Sequence, residues 1–387
     1  MTDDTYGVNP HAPKDTGRPR PTAGIAYDGK AGKLFGMGLK IAILFLLTLG
    51  FYRFWGKTLI RRYLASRISV GSDRFEYTGT GKELFLGFMI ALAVLIPLGA
   101  ASAGIKVFLT GQPAWMQIVV PALQYAFILF LIGYATFRAR RYRLSRTALR
   151  SIRFWQTGSN VGYALRMMAY LALTIVTLGI ARPVGDIALY RYLMQHTWFG
   201  NQKFEFDGRA GQMMGKWILS LLLSPFTLGL SLFWYSAFRM RYLQSQTRYQ
   251  NIQFSMPVTF GNLLRIYSPY ALAVMVLLII FYVAILATML PTIMAGQPID
   301  LESWKSEHFI AINGVGIVAA IIIFGLIAPV IKLVFLTHRF IILVADKLVF
   351  IGDVNLDAII QSAAQQPESG EGLADAFDIG GGLEVGI

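Results

Sequence analysis

Four uninterrupted apolar stretches, about 84–108, 116–137, 263–290 and 308–336, constrain this chain more than any other feature. About 20 apolar residues in a helix cross a hydrocarbon core of about 30 Å, and each stretch is that long. Inside hydrocarbon every backbone N–H and C=O must find a partner within the protein, so such stretches fold as helices. Three further apolar stretches, about 34–55, 162–181 and 211–235, are shorter and carry glycine near their ends. Composition agrees: of 387 residues 55% are hydrophobic and only 14% charged, where a soluble domain carries about 25% charged residues.

The charge pattern orients the long stretches. Segment 138–153 holds Arg138, Arg140, Arg141, Arg143, Arg146, Arg150 and Arg153 with no acid, whereas 110–115 is uncharged and 291–307 sets Lys305 against Asp300, Glu302 and Glu307. Positive loops stay cytoplasmic. The expected location is a bacterial inner (plasma) membrane with multiple passes, the tips near 110–115 and 291–307 periplasmic and the C-terminus cytoplasmic. The net charge of +14 sits in basic clusters beside apolar runs, so the expected partner is the anionic inner leaflet rather than nucleic acid.

Several chemistries are disfavoured. There is no cysteine, and His11, His196, His308 and His338 form no i,i+4 pair, so no metal or cofactor is expected. Gly32-Lys33 and Gly81-Lys82 lack the spacing of a phosphate loop, there is no nucleophile elbow, and an enzyme is not expected. The polar lead 1–24 and the acidic tail 361–387 read as disordered.

Between them, about 25–360 reads as one repeated transmembrane domain. A short alternating segment ending in glycine recurs as Tyr27-Asp28-Gly29, Phe75-Glu76-Tyr77-Thr78-Gly79, Phe154-Trp155-Gln156-Thr157-Gly158 and Phe204-Glu205-Phe206-Asp207-Gly208. Thr-Leu-Gly follows the first, third and fourth, ending at Gly50, Gly179 and Gly229, each 21 residues after the preceding glycine. From there 13 residues lead to Tyr63, Tyr192 and Tyr242, and 12 more to Phe75, Phe204 and Phe254. Units fall at about 25–79, 79–158, 158–208, 208–258 and 258–354, the second and fifth expanded by the long apolar hairpins.

The expected fold is mainly α, a polytopic helical membrane protein with short cytoplasmic β-hairpins between helices. The hairpins are clearest at 67–78 and 196–207, where alternating aromatics flank Gly/Asn turns. A lone hairpin is marginal, so several copies are expected to pair into a small sheet. Topology of the short units forks at this point. Either each short helix crosses the membrane, or it turns back at Thr-Leu-Gly as a re-entrant pair, which brings Arg53 and Arg182 close to a buried apex.

Two groups of residues are candidates for function. Arg61, Arg62, Arg140, Arg141, Arg191 and Arg241 lie in basic helices beside tyrosine; they are read as lipid-headgroup contacts, either general interfacial attachments or a site for one anionic lipid. Gly50, Gly179 and Gly229 are break positions, and Gly32, Gly36, Gly211 and Gly215 are spaced for close helix packing. Lys106, Lys216 and Lys332, near helix ends, and Arg166, a turn into its helix, are placed to snorkel, and Asp186 has Arg182 one turn before it as its expected partner.

The string Thr48-Leu49-Gly50-Phe51-Tyr52-Arg53-Phe54-Trp55-Gly56-Lys57, followed by Arg61-Arg62-Tyr63-Leu64 and Phe75-Glu76-Tyr77-Thr78-Gly79, resembles the YjgN-like family. These are bacterial inner-membrane proteins grouped under a domain of unknown function. The likeness extends along about 25–360 and departs at Ile180-Ala181-Arg182-Pro183, where the aromatics after Thr-Leu-Gly are missing. It implies a multi-pass inner-membrane protein and brings no catalytic or ligand residues. Two function classes fit: a transporter or channel for a small solute or lipid, or a structural or interaction protein whose hairpin layer docks a partner. A homo-oligomer is left open.

Overall fold

The computed structural model describes residues 21–294, 307–352 and 359. The lead before residue 21, the tip segment 295–306 and most of the acidic tail lie outside the described residues. A single kind of connection recurs five times along the described residues: a strand, an outgoing and a returning helical arm, and a neighbouring strand. The first passage is β1 (Pro21–Tyr27), α1 (Ala31–Leu47), α2 (Arg53–Ala65) and β2 (Ile68–Val70). The second is β3 (Asp73–Tyr77), α3 (Gly81–Leu109), α4 (Ala114–Ser145) and β4 (Thr147–Leu149). The third is β5 (Ile152–Gln156), α5 (Asn160–Val176), α6 (Arg182–Gln195) and β6 (Thr197–Phe199). Next come β7 (Gln202–Phe206), α7 (Gly211–Leu223), α8 (Leu230–Ser245) and β8 (Thr247–Tyr249). The last is β9 (Ile252–Ser255), α9 (Phe260–Met294), α10 (Glu307–Ile331), a π-helical stretch Lys332–Thr337, α11 (His338–Lys347) and β10 (Val349–Ile351).

The strands do not remain separate hairpins or form a small open sheet. They close into one ten-stranded antiparallel barrel in which β1 pairs with both β2 and β10. Short strands with unpaired edges invite association, and closure removes every edge. Residues 21–24, expected in a disordered lead, are instead the stretch of β1 that pairs with β10, with Gly24 opposite Val349. Two-residue turns join the passages: Gly71-Ser72, Arg150-Ser151, Gly200-Asn201 and Gln250-Asn251. Arg150 and Ser151 both have positive φ, 54° and 65°, the backbone of a type I′ turn, whose twist matches that of the strands.

Each strand sends apolar side chains into the lumen. Phe75, Phe154, Phe199, Tyr249, Phe204, Phe254 and Phe350 follow one another around it, with ring centroids 4.4–6.3 Å apart. They leave an apolar space of about 80 Å³. Arg74, Glu76, Lys203, Glu205 and Arg248 alternate with these residues and are exposed on the outside. The barrel is therefore apolar within and charged at these outward positions.

Because neighbouring strands run antiparallel around a closed ring, every helical connection leaves and re-enters at one rim, and every tight turn lies at the other. The helices form a second ring on that rim, α2 against α3, α4 against α5, α6 against α7, α8 against α9, and α10 back against α1. Among the described residues, four helical segments are long and apolar enough to cross a membrane: α3, α4, residues 260–290 and residues 314–347. The stretches 34–55, 162–181 and 211–235 are not continuous helices; each is split at Thr-Leu-Gly into an outgoing and a returning helix. At those turns Leu49, Leu178 and Leu228 have φ of 49–50° and the glycines after them 83–93°, so glycine is needed at the second position.

Close helix contacts fall at glycines other than those expected. Gly32, Gly36, Gly211 and Gly215 have open space beside them, because their helix faces turn away from neighbours. A Cβ at Gly38 would stand 3.1 Å from Val330, and one at Gly133 only 2.9 Å from the Ala164 Cα. Gly133→Ala is expected to lower stability by about 1–3 kcal/mol by overpacking, whereas Gly215→Ala is neutral or stabilising. Apparent melting temperatures in detergent check both; equal effects would contradict the packing described.

Candidate functional site

The repeated basic residues divide into two sets with different work. In the first, an arginine and the tyrosine after it tie the returning helix to strand–helix junctions. Arg62, Arg141 and Arg191 donate through Nη2 to the carbonyls of Gly79, Gly158 and Gly208, each 17 residues on, at 2.8, 2.5 and 2.5 Å. Those carbonyls lie where the next passage leaves the barrel. The adjacent Tyr63, Tyr192 and Tyr242 accept from the backbone N–H of Lys30, Ser159 and Arg209, 33 residues back. Tyr192 and Tyr242 also donate to the carbonyls of the same residues. In the second passage Tyr142 donates to the Glu83 carboxylate at 2.8 Å. Helix starts and strand ends leave backbone groups without partners, and these side chains supply them. In the fourth passage Arg241 lies over the Phe238 ring, 5.8 Å from its centre.

The second set meets at the barrel mouth. Arg61 from α2 and Arg140 and Arg143 from α4 wall a chamber of about 310 Å³, just above the lumen's aromatic layer, with which it shares Ile25, Phe75 and Phe154. Leu64, Leu144 and Val344 give it a mainly apolar wall with Tyr77 and Thr147, and among the described residues no carboxylate lines it. Arg140 is only 6% exposed. Arg61 donates to the Tyr77 hydroxyl at 3.3 Å and lies over the same ring. Guanidinium stays charged under all relevant conditions, so the chamber combines fixed positive charge with low-polarity walls. That combination suits an anion carrying an apolar body.

The structure therefore brings Arg61 and Arg140 together and assigns Arg62, Arg141 and Arg191 to backbone ties. Arg143 belongs to the chamber although the Arg-Tyr pattern does not single it out; its position three residues after Arg140 puts both on one face of α4. Asp186 pairs with Arg239 across to α8 at 3.1 Å, not with Arg182. Arg182 lies over the Trp217 ring, whose indole N–H donates to the Gly179 carbonyl at 2.8 Å. Tertiary contact overrides the one-turn spacing because α6 and α8 turn these groups toward each other. Beside the barrel, Tyr27 bonds His338 Nδ1 at 3.0 Å, and burial pushes the Tyr27 phenol up to about 12. Asp28, held by Arg74 and Arg67, is kept below the usual carboxylate range.

Removing one backbone tie leaves a carbonyl or amide without its partner at a junction. Arg191→Ala is expected to cost about 1–3 kcal/mol and Tyr192→Phe about 0.5–1.5 kcal/mol, with exposure near 206–212 for the first and 156–162 for the second read by limited proteolysis. Arg241→Ala, which leaves a ring contact rather than a backbone tie, is expected to cost less. The opposite ranking in thermal melting would show that the repeated pairs serve elsewhere.

Comparison with known proteins extends these observations. The chain is 22% identical over 163 residues to the inner membrane protein YjgN of Salmonella typhimurium (strain LT2). The match covers 40% of this chain and spans 38% of the length of that relative. No solved structure matches. The profile of a family described as bacterial proteins of unknown function, DUF898, matches residues 22–376. The chain belongs to this DUF898 family, the YjgN-like proteins that its Thr-Leu-Gly and Arg-Tyr motifs resemble.

Proposed function

We propose that this protein is a multi-pass, non-catalytic lipid-handling protein of the bacterial inner membrane, holding the acidic headgroup of an amphiphile in the chamber at the barrel mouth. The observation that carries the reading is the set Arg61, Arg140 and Arg143 in a chamber of about 310 Å³ whose remaining wall is almost wholly apolar. Such a volume takes a headgroup and a short length of acyl chain. The four long apolar helices and the inner-membrane name of the YjgN relative support the location. An aqueous channel along the ring axis is the weaker alternative, because aromatic side chains from the strands narrow the lumen to an apolar space of about 80 Å³.

In this reading the barrel, its tight turns and both strand ends β1 and β10 face the cytoplasm, the side on which the excess positive charge of 138–153 belongs. The tip between α3 and α4 faces the periplasm. An amphiphile enters from the bilayer side of the barrel, with its charge led by the guanidinium groups.

Native mass spectrometry of the detergent-purified chain tests the proposal. Wild type is expected to retain an anionic lipid, and Arg61→Gln with Arg143→Gln to lose about 10- to 100-fold in affinity, the equivalent of one to two charge-assisted hydrogen bonds. Arg241→Gln, outside the chamber, is expected to bind as wild type does. Equal retention by chamber and control variants with unchanged melting would overturn it.

A further inference from the structure

We infer that the three Thr-Leu-Gly hairpins are half-membrane insertions whose apices end in the middle of the bilayer, capped by acyl chains of the leaflet opposite the barrel. Both helices of each pair attach to the same barrel rim, so none of the three hands the chain to the far side. Their reach separates them from the long pairs. From the last cation before the apex, Lys40, Arg166 or Lys216, to Leu49, Leu178 or Leu228 is 9 or 12 residues, about 14–18 Å of helix, or about half of a 30 Å hydrocarbon core. In α3 the apolar run from Glu83 to Lys106 is 23 residues, about 34 Å and a full crossing.

The apices are built for hydrocarbon. Leu49, Leu178 and Leu228 are 89, 87 and 94% exposed, the most exposed large apolar residues of their hairpins. Their backbones keep their polar groups to themselves: Gly50, Gly179 and Gly229 donate back to the carbonyls of Phe45, Thr174 and Ser224 at 2.7–2.8 Å. The threonine hydroxyl of each turn closes both sides. Thr48, Thr177 and Thr227 donate to the carbonyls of Leu44, Leu173 and Leu223. They accept from the amides of Tyr52, Ala181 and Ser231, at the start of the returning helix. A turn in water needs no such closure; a turn in hydrocarbon does.

The two cations near apices are turned onto aromatic faces, Arg53 over Phe54 and Arg182 over Trp217, which lowers the cost of holding them at depth. Around the helix ring the result is a wall of two heights, full where α3, α4, α9 and α10 stand and half elsewhere. Lipid of the opposite leaflet fills the space above the low sections.

The natural chain has no cysteine, so single substitutions report without background. Leu49→Cys, Leu178→Cys and Leu228→Cys carry a fluorophore in proteoliposomes made with phospholipids brominated near the headgroup, in mid-chain or near the methyl end. The expected result is strongest quenching by methyl-end bromine at all three apices, and loss of reaction with impermeant maleimide from either side. Gln112→Cys and Asn201→Cys are expected to react from opposite sides. Strongest quenching by headgroup-proximal bromine, or reaction of an apex from the Gln112 side, would overturn the inference. Val176→Cys and Phe226→Cys, on the same apices, stand in for any variant that fails to fold. A chamber that binds no lipid would leave this result untouched.

Discussion

The structure depends on the intolerance of short strands for open edges. A strand of three residues, such as β2, β4 or β6, forms too few hydrogen bonds to persist beside one neighbour. A hairpin of two still exposes two edges. Joining all ten in a ring is the arrangement in which each strand has two neighbours and no edge remains. Antiparallel closure then dictates the rest. Helices can leave from one rim only, so all helical pairs stand on the same side, and long and short pairs become sections of one crown. Sequence-distant closure between β1 and β10 is not forbidding, because loop-closure entropy grows only slowly with loop length, and the aromatic packing in the lumen favours it.

Each place where the chain changes element is closed by a local device. Tight turns with positive φ join strands, Arg-Tyr pairs satisfy the strand–helix junctions, and threonine with glycine satisfies the helical apices. The three devices answer one requirement, that backbone polar groups near or within a membrane find partners inside the protein. This is why the basic residues that look alike in sequence do different things. Arg62, Arg141 and Arg191 are turned to backbone carbonyls, whereas Arg61, Arg140 and Arg143 bring their charge to the wall of the chamber at the mouth.

Much of the local structure was legible from spacing. The hairpin at 196–207 appears as β6 and β7 around Gly200-Asn201, because alternation and turn residues are short-range signals. The Thr-Leu-Gly breaks were legible too, yet whether they crossed or returned was not, since that depends on which strands pair. Ring closure was invisible because it joins residues more than 300 positions apart, with no motif at Gly24 or Val349 to announce it. Gly32, Gly36, Gly211 and Gly215 misled because spacing shows that small residues share a face and not which way the face turns. Asp186 misled for a related reason: Arg182 is near in sequence, but Arg239 is near in space.

The barrel's closure is tested most directly by covalently joining its ends. Gly24→Cys with Val349→Cys places thiols on directly opposed residues of β1 and β10; Ala26→Cys with Ser69→Cys does the same for β1 and β2. On mild oxidation in native membranes, both pairs are expected to form an intramolecular disulfide, the first making a closed loop of nearly the whole described chain with altered mobility in a denaturing gel. A disulfide at the second pair with none at the first would contradict closure and leave an open sheet.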